Sequence, residues 1–210
     1  MYQNRREAGL KLTKVLEEQH VELDLILAIP RGGVEVAEPI AEEWKCPLKV
    51  VIPRKIGAPG HEEMAVGAVA WEGTVILNDS IIRTLGIPHE YIKEKVERER
   101  QEILRRTAQF PYTPQEEEIK GKKILLVDDG IATGYTVKAT IAGLKKLHPA
   151  KIYLAVPVGA PDTISMLEKE VDAVFCPLVP IDFWAVGQFY KDFSQTSDER
   201  VIEILKKSIT

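Results

Sequence analysis

The sequence predicts an α/β fold in which a parallel sheet is covered on both faces by helices. Two observations carry this. Short apolar runs alternate with longer charged stretches of helical spacing along most of the chain. The runs are apolar throughout rather than alternating apolar with polar, as expected of strands covered on both sides.

The elements follow in order. Residues 4–19 have helical spacing, with Leu10, Val15 and Leu16 set among charges. DLILAIP (24–30) reads as a buried strand, broken by Arg31, Gly32 and Gly33. Residues 34–44 read as a helix in which Pro39 is a local irregularity. PLKVVIP (47–53) is a second strand. RKIGAPGHEEM (54–64) has no periodicity and holds two glycines and a proline, so it reads as a mobile loop. AVGAVA and TVILN are short β runs around a Glu72-Gly73 turn. Residues 87–106 form a long charged helix, and FPYTPQEEEIKGKK is a connector. ILLV (124–127) is another buried strand, with a helix starting near Thr136. A strand (151–158), a helix (160–170), a last strand (171–178) and a terminal helix (198–207) complete the chain.

The 210 residues suit one domain with one sizeable core. A net charge of -4 leaves no basic footprint for non-specific nucleic-acid binding. Cys46 and Cys176 offer neither metal-ligand spacing nor a disulfide framework and are expected to be small reduced core residues. The N-terminus lacks the apolar core of a signal peptide, and no apolar run approaches a membrane span. A soluble cytoplasmic protein is expected, with no membrane or nucleic-acid partner.

Ligands of open parallel sheets bind beyond the carboxyl ends of the strands. Two strand ends here carry unusual loops: PRGG after residues 24–30, and DDGIATG after 124–127. In the second, Gly130 and Gly134 allow a sharp turn and close backbone approach. The following helix start presents free N–H groups, and Thr133 and Thr136 add hydroxyls, which makes a phosphate cradle. Asp128 and Asp129 would repel a phosphate. They suit sugar hydroxyls, or Mg²⁺ held directly or through water. A ribose 5-phosphate satisfies both halves. The P-loop signature and the GxGxxG fingerprint are both absent. A receiver domain would begin with this strand and needs more chain than follows it. A plain solvated turn would not gather these residues together.

ILLVDDGIATGYT resembles the phosphoribosyl pyrophosphate (PRPP) motif of type I phosphoribosyltransferases. The resemblance covers residues 20–195 and comes nearest to members of that family whose substrate is unassigned. It implies the type I fold as a single domain over 1–210, with a core at about 20–178, a flexible catalytic loop at 54–66 and a small hood at about 177–195. In that family the acid pair binds ribose hydroxyls, and the loop binds the 5-phosphate. Residues Gly130, Ile131, Ala132, Thr133, Gly134, Tyr135 and Thr136 would do so here. AIPRGG resembles the pyrophosphate loop, with Arg31, Gly32 and Gly33 receiving pyrophosphate and the Pro30–Arg31 bond the candidate for a cis peptide. Arg54 and Lys55 are the cations a closing loop needs over a leaving group; His61 could add a donor.

DFWAVGQFYKDF is similar to the hood of 6-oxopurine enzymes. Phe183 or Trp184 would stack on a base, and Asp192 falls at a later acid position with a weak claim on the metal. Two departures leave the acceptor open. Ala132 stands where 6-oxopurine enzymes keep an acid, and AVPVGAPD (155–162) lacks their lysine. The resemblance implies Mg²⁺-dependent transfer from PRPP to a nitrogenous base. It also leaves room for a homodimer to which Arg98, Arg100, Arg105 or Arg106 lends a residue. The alternative is a regulator that binds PRPP without catalysis, which often lacks the loop or gains a DNA-binding module; neither is seen here. A metal-dependent hydrolase would need further ligands, and His20, His61, His89 and His148 are scattered.

Overall fold

A computed structural model describes residues 1–110 and 112–208. Helix α1 (Arg5–Glu18) starts from Asn4, whose side chain accepts the Glu7 amide at 2.9 Å. Strand β1 (Leu25–Ala28) leads into α2 (Gly32–Trp44), and β2 (Leu48–Val50) follows. Helix α2 runs through Pro39 without ending. Gly9 of α1 faces it, and a Cβ there would come within 2.6 Å of the Pro39 ring.

After β2 come β3 (Arg54–Ala58), β4 (His61–Val69) and β5 (Val75–Leu77), then α3 (Asp79–Thr84), α4 (His89–Thr107) and α5 (Glu116–Ile119). The second half of the chain is β6 (Lys123–Val127), α6 (Tyr135–Lys146), β7 (Lys151–Ala155), α7 (Pro161–Leu167), β8 (Ala173–Phe175), a 3₁₀ turn (Val186–Phe189) and α8 (Asp198–Lys207).

The main sheet has five strands in the order β2-β1-β6-β7-β8, all parallel. Its strands are buried on both faces, as their unbroken apolar runs require. Ile26, Ala28, Leu125 and Val127 point into a core shared with α1, α2 and α8. Leu25, Leu27, Ile124 and Leu126 point into the opposite core with α6 and α7. Each such leucine or isoleucine contributes about 1.5–3 kcal/mol relative to an exposed one. Cys46 is buried in the first core and Cys176 half-buried beside the second. Burial pushes their thiols up to about 11 and about 12, so neither is a reactive nucleophile at neutral pH.

The stretch 54–64 differs from its sequence reading. Rather than an aperiodic loop, it forms β3, a two-residue Pro59-Gly60 turn and the start of β4, with Gly60 at φ 71°. Two register shifts at Gly57 break the alternation that would have marked a strand. With β5 this hairpin forms an antiparallel three-stranded sheet. Its Ala68 and Ala70 pack on Ala139 of α6, and its Ile56 and Val66 share a core with Ile92 and Ile103 of α4. No helix among the described residues is long and apolar enough to cross a membrane.

Candidate active site at the carboxyl edge of the sheet

Strands β1 and β6 are adjacent and in register to their ends, with Ala28 opposite Val127. Their following loops therefore leave the same edge side by side. Helix α2 turns back over one face and α6 over the other, so this edge is the switch point where open α/β sheets bind ligands. The sequence nominated the same two loops.

The first loop carries a cis peptide between Pro30 and Arg31. Gly32 and Gly33 open α2, whose start has no side-chain cap. Gly33 lies against the end of β6, where a Cβ would meet the Val127 carbonyl at 2.9 Å. Gly32 faces the acid pair. A Cβ on it would collide with Asp129 Oδ2 and come within 2.6 Å of Arg5 Nε. Only glycine lets the two loops touch. The Arg31 guanidinium lies 3.6 Å from the Asp198 carboxylate and is part-exposed.

In the second loop, the Asp129 amide donates to Asp128 Oδ1 at 2.8 Å. Arg5 Nε donates to Asp129 Oδ2 at 2.7 Å, with both side chains largely buried. The Tyr190 hydroxyl donates to the Asp129 carbonyl at 2.6 Å. Burial holds Asp128 well above the ordinary carboxylate range, and the charge of Asp129 adds to the effect. Burial raises Asp129 as well, while Arg5 pulls it back. No cation is bonded to Asp128 among the described residues, so the pair carries unneutralised negative charge when ionised.

Beyond the acids, Ile131 anchors the loop. Its side chain is buried, its amide donates to the Val158 carbonyl at 2.9 Å, and its carbonyl accepts from Ala160 at 3.0 Å. The Thr163 hydroxyl fixes the Ala132 carbonyl at 2.7 Å. Ala132 and Thr133 themselves are exposed. Gly134 sits at φ 73°, left-handed backbone that a side chain disfavours, and starts α6 without a side-chain cap. The first α6 amides and the Thr133 and Thr136 side chains thus border an anion-ready helix start. The Tyr135 side chain turns away to hydrogen-bond Asn78. It can serve this start only through its backbone.

The hood closes from the side. Val186 packs on Gly130, where a Cβ would collide with it. The Phe183 ring lies 5.5 Å from Phe189 inside the hood, whereas Trp184 is 87% exposed and free to stack on a flat ligand. Asp192 accepts the Ser194 amide at 3.0 Å, which lowers its pKa. Among the described residues no three acids, histidines or cysteines gather as a metal cage.

Arg54 and Lys55 open β3. Arg54 Nε is bonded to Glu99 of α4 at 2.9 Å, and Lys55 to Glu63 at 2.9 Å. His61 is exposed at the hairpin turn. Sequence reasoning missed Arg5 and did not single out Tyr190 from the other aromatic residues of the hood. Arg5 stands beside Arg6, which is 48% exposed, and nothing in RREAG distinguishes the two.

Comparison with known proteins agrees with this geometry. The phosphoribosyl transferase domain family matches residues 4–194. Two curated Mycobacterium tuberculosis proteins, from different strains, carry provisional phosphoribosyl transferase names. They are 34% identical over 99% of this chain, which spans about half of their length (47%). The crystal structure of TT1426 from Thermus thermophilus is 34% identical, superposes with a TM-score of 0.79, and covers 99% of this chain and 98% of its own. A purine phosphoribosyltransferase from Pyrococcus horikoshii shares the fold at 19% identity and a TM-score of 0.50, over 92% of each chain. The chain belongs to the phosphoribosyl transferase family.

Proposed function

We propose that this chain transfers a phosphoribosyl group from PRPP to a nitrogenous base and releases pyrophosphate. The observation that carries the reading is the contact between the two loops, in which the Asp129 carboxylate fills the space a Gly32 side chain would take. The uncapped start of α6, the hydroxyl acceptors and a backbone loop for pyrophosphate thereby follow one another, in the order 5-phosphate, ribose, pyrophosphate.

Asp128 and Asp129 would accept from the ribose hydroxyls. The amides from Ala132 to Thr136, with the Thr133 and Thr136 hydroxyls, would hold the 5-phosphate. The Ile131 amide, engaged with Val158, would not. Arg31, Gly32 and Gly33 would receive pyrophosphate. Mg²⁺ is usually held by one or two carboxylates together with substrate oxygens. An acid pair with no cation on Asp128 and, among the described residues, no further ligand cluster fits that habit. Held by Asp128 and Asp129, directly or through water, Mg²⁺ would neutralise charge on the leaving pyrophosphate.

A base nitrogen would attack C1 of the ribose as the C1–O bond to pyrophosphate breaks. Arg54 and Lys55 would exchange their glutamate partners for the leaving group, and the hairpin would exclude water. Trp184 or Phe183 would stack on the base. With Ala132 in place of an acid, the proton lost by the base nitrogen would pass to the departing pyrophosphate rather than to a carboxylate at that position.

Calorimetry with PRPP and Mg²⁺ should show binding, and a panel of bases should contain at least one that releases pyrophosphate. Absence of binding would remove the proposal. Binding without release for every base would replace it with a PRPP-binding regulator.

A further inference from the structure

We propose that Arg5 is a positioning residue of this site: it sets the Asp129 carboxylate for ribose and ties that carboxylate to the hood. The inference rests on the PRPP reading and adds to it a residue from the first turn of the chain.

Arg5 is 7% exposed in a protein whose other helix-face arginines mostly reach water. Its groups are divided among three parts of the site. Nε donates to Asp129 Oδ2 at 2.7 Å. Nη1 donates to the Ser194 carbonyl at 2.7 Å, 189 positions along the chain. The guanidinium carbon lies over the Phe193 ring, 4.0 Å from its centre. The same Nε borders Gly32, so Arg5 touches the acid pair, the pyrophosphate loop and the hood together.

Two consequences follow from this placement. With Oδ2 held by Arg5, the Asp129 carboxylate cannot turn freely, so its orientation toward a ligand is set. The Phe193–Ser194 end of the hood, held by the same guanidinium, cannot shift without disturbing that acid. Lysine would keep the charge at position 5. It has no planar fork with which to hold Asp129 and Ser194 at once and stack on Phe193.

The test is calorimetry with PRPP and Mg²⁺ on wild type, R5K, R5M, D129N and R5M/D129N, each first checked for a cooperative thermal transition. R5M should weaken PRPP binding by ~10–100-fold, as expected for loss of a charge-assisted hydrogen bond. R5K should recover only part of that loss. In the D129N background, R5M should add little. A folded R5M that binds PRPP as wild type does would overturn the proposal, as would losses at positions 5 and 129 that simply multiply. Full rescue by R5K would assign the effect to charge alone and also overturn it. Should R5M not fold, R5K decides, and wild-type affinity in R5K rejects the role. A wild-type chain that takes up no PRPP would instead sink the parent reading, before any variant is compared.

Discussion

Burial, and then the charge of Asp129, raise the Asp128 pKa in the folded chain. Near pH 4 and below, the neutral acid is buried at little penalty. As pH rises from the ordinary value of 3.8 through the raised folded value, the unfolded chain ionises freely and the folded chain resists, so stability falls and then stays low. Asn at 128 removes this burden and the ligand grip together. D128N should therefore melt higher than wild type at pH 7.5 by about 1–2 kcal/mol, or some 2–8 °C at this chain length. The gap should close near pH 4, and calorimetry should find PRPP binding lost. A lower melting point at pH 7.5 would mean that Asp128 supports the fold rather than opposing it. Such residues are legible in sequence because a buried strand ending in two acids has no structural motive, and Gly134 follows in the same loop where a turn needs left-handed backbone. Arg5 was illegible for the converse reason. An arginine on an amphipathic helix is ordinary, and its burial is decided by Phe193 and Ser194, far along the chain.

At the scale of elements, the β3–β4 hairpin shows how charge can hold a surface hairpin in place. Glu99 of α4 is buried, and it receives Arg54 at 2.9 Å and Lys95 at 3.6 Å; Lys95, also buried, reaches Glu62 at 2.9 Å. The network pins both strands of the hairpin to one helix. Removing the central carboxylate leaves two cations, one of them buried, with a single exposed partner. E99Q should thus destabilise by about 3 kcal/mol, or 6–12 °C in melting temperature. E62Q, on a glutamate side chain that is 71% exposed, should shift it by less than about 1 kcal/mol. Thermal unfolding of both variants checks this, and equal shifts would show that Glu99 is not the centre of the network. The sequence exposed the long α4 through its charge spacing but hid the hairpin. The strand β3 is interrupted by Gly57, and the residues of β4 nearest the turn extend past the core, so no apolar alternation marked either one.

For the whole molecule, the alternation of strands and helices made the parallel sheet legible. The strand order was not, because it depends on which helix crosses which face. Equally hidden was the seam that joins the first residues to the hood. The Tyr2 amide donates to the Phe189 carbonyl at 2.7 Å, Lys191 donates to Tyr2 at 2.8 Å, and Asp192 donates to Gln3 at 2.9 Å, so the first residues lie along the hood like an added strand. Tyr2 is 4% exposed, its hydroxyl reaches the Pro157 carbonyl at 2.8 Å, and its ring lies 5.5 Å from Tyr190, which in turn holds Asp129. These contacts end at Asp129 and Pro157, in the loops beyond β6 and β7 rather than within the strands, so the seam can open as a unit while the strands stay paired. Y2A removes the ring on which the unit is built and should cost it about 3 kcal/mol, roughly a hundredfold in the opening equilibrium. Hydrogen exchange should then quicken at residues 186–193 by about that factor, while the β6 amides at 123–127 keep their protection. Unchanged exchange in the hood would show that Tyr2 merely covers it. Acceleration in β6 as well would show that hood and sheet unfold together, and that closing the acceptor side is inseparable from folding the chain.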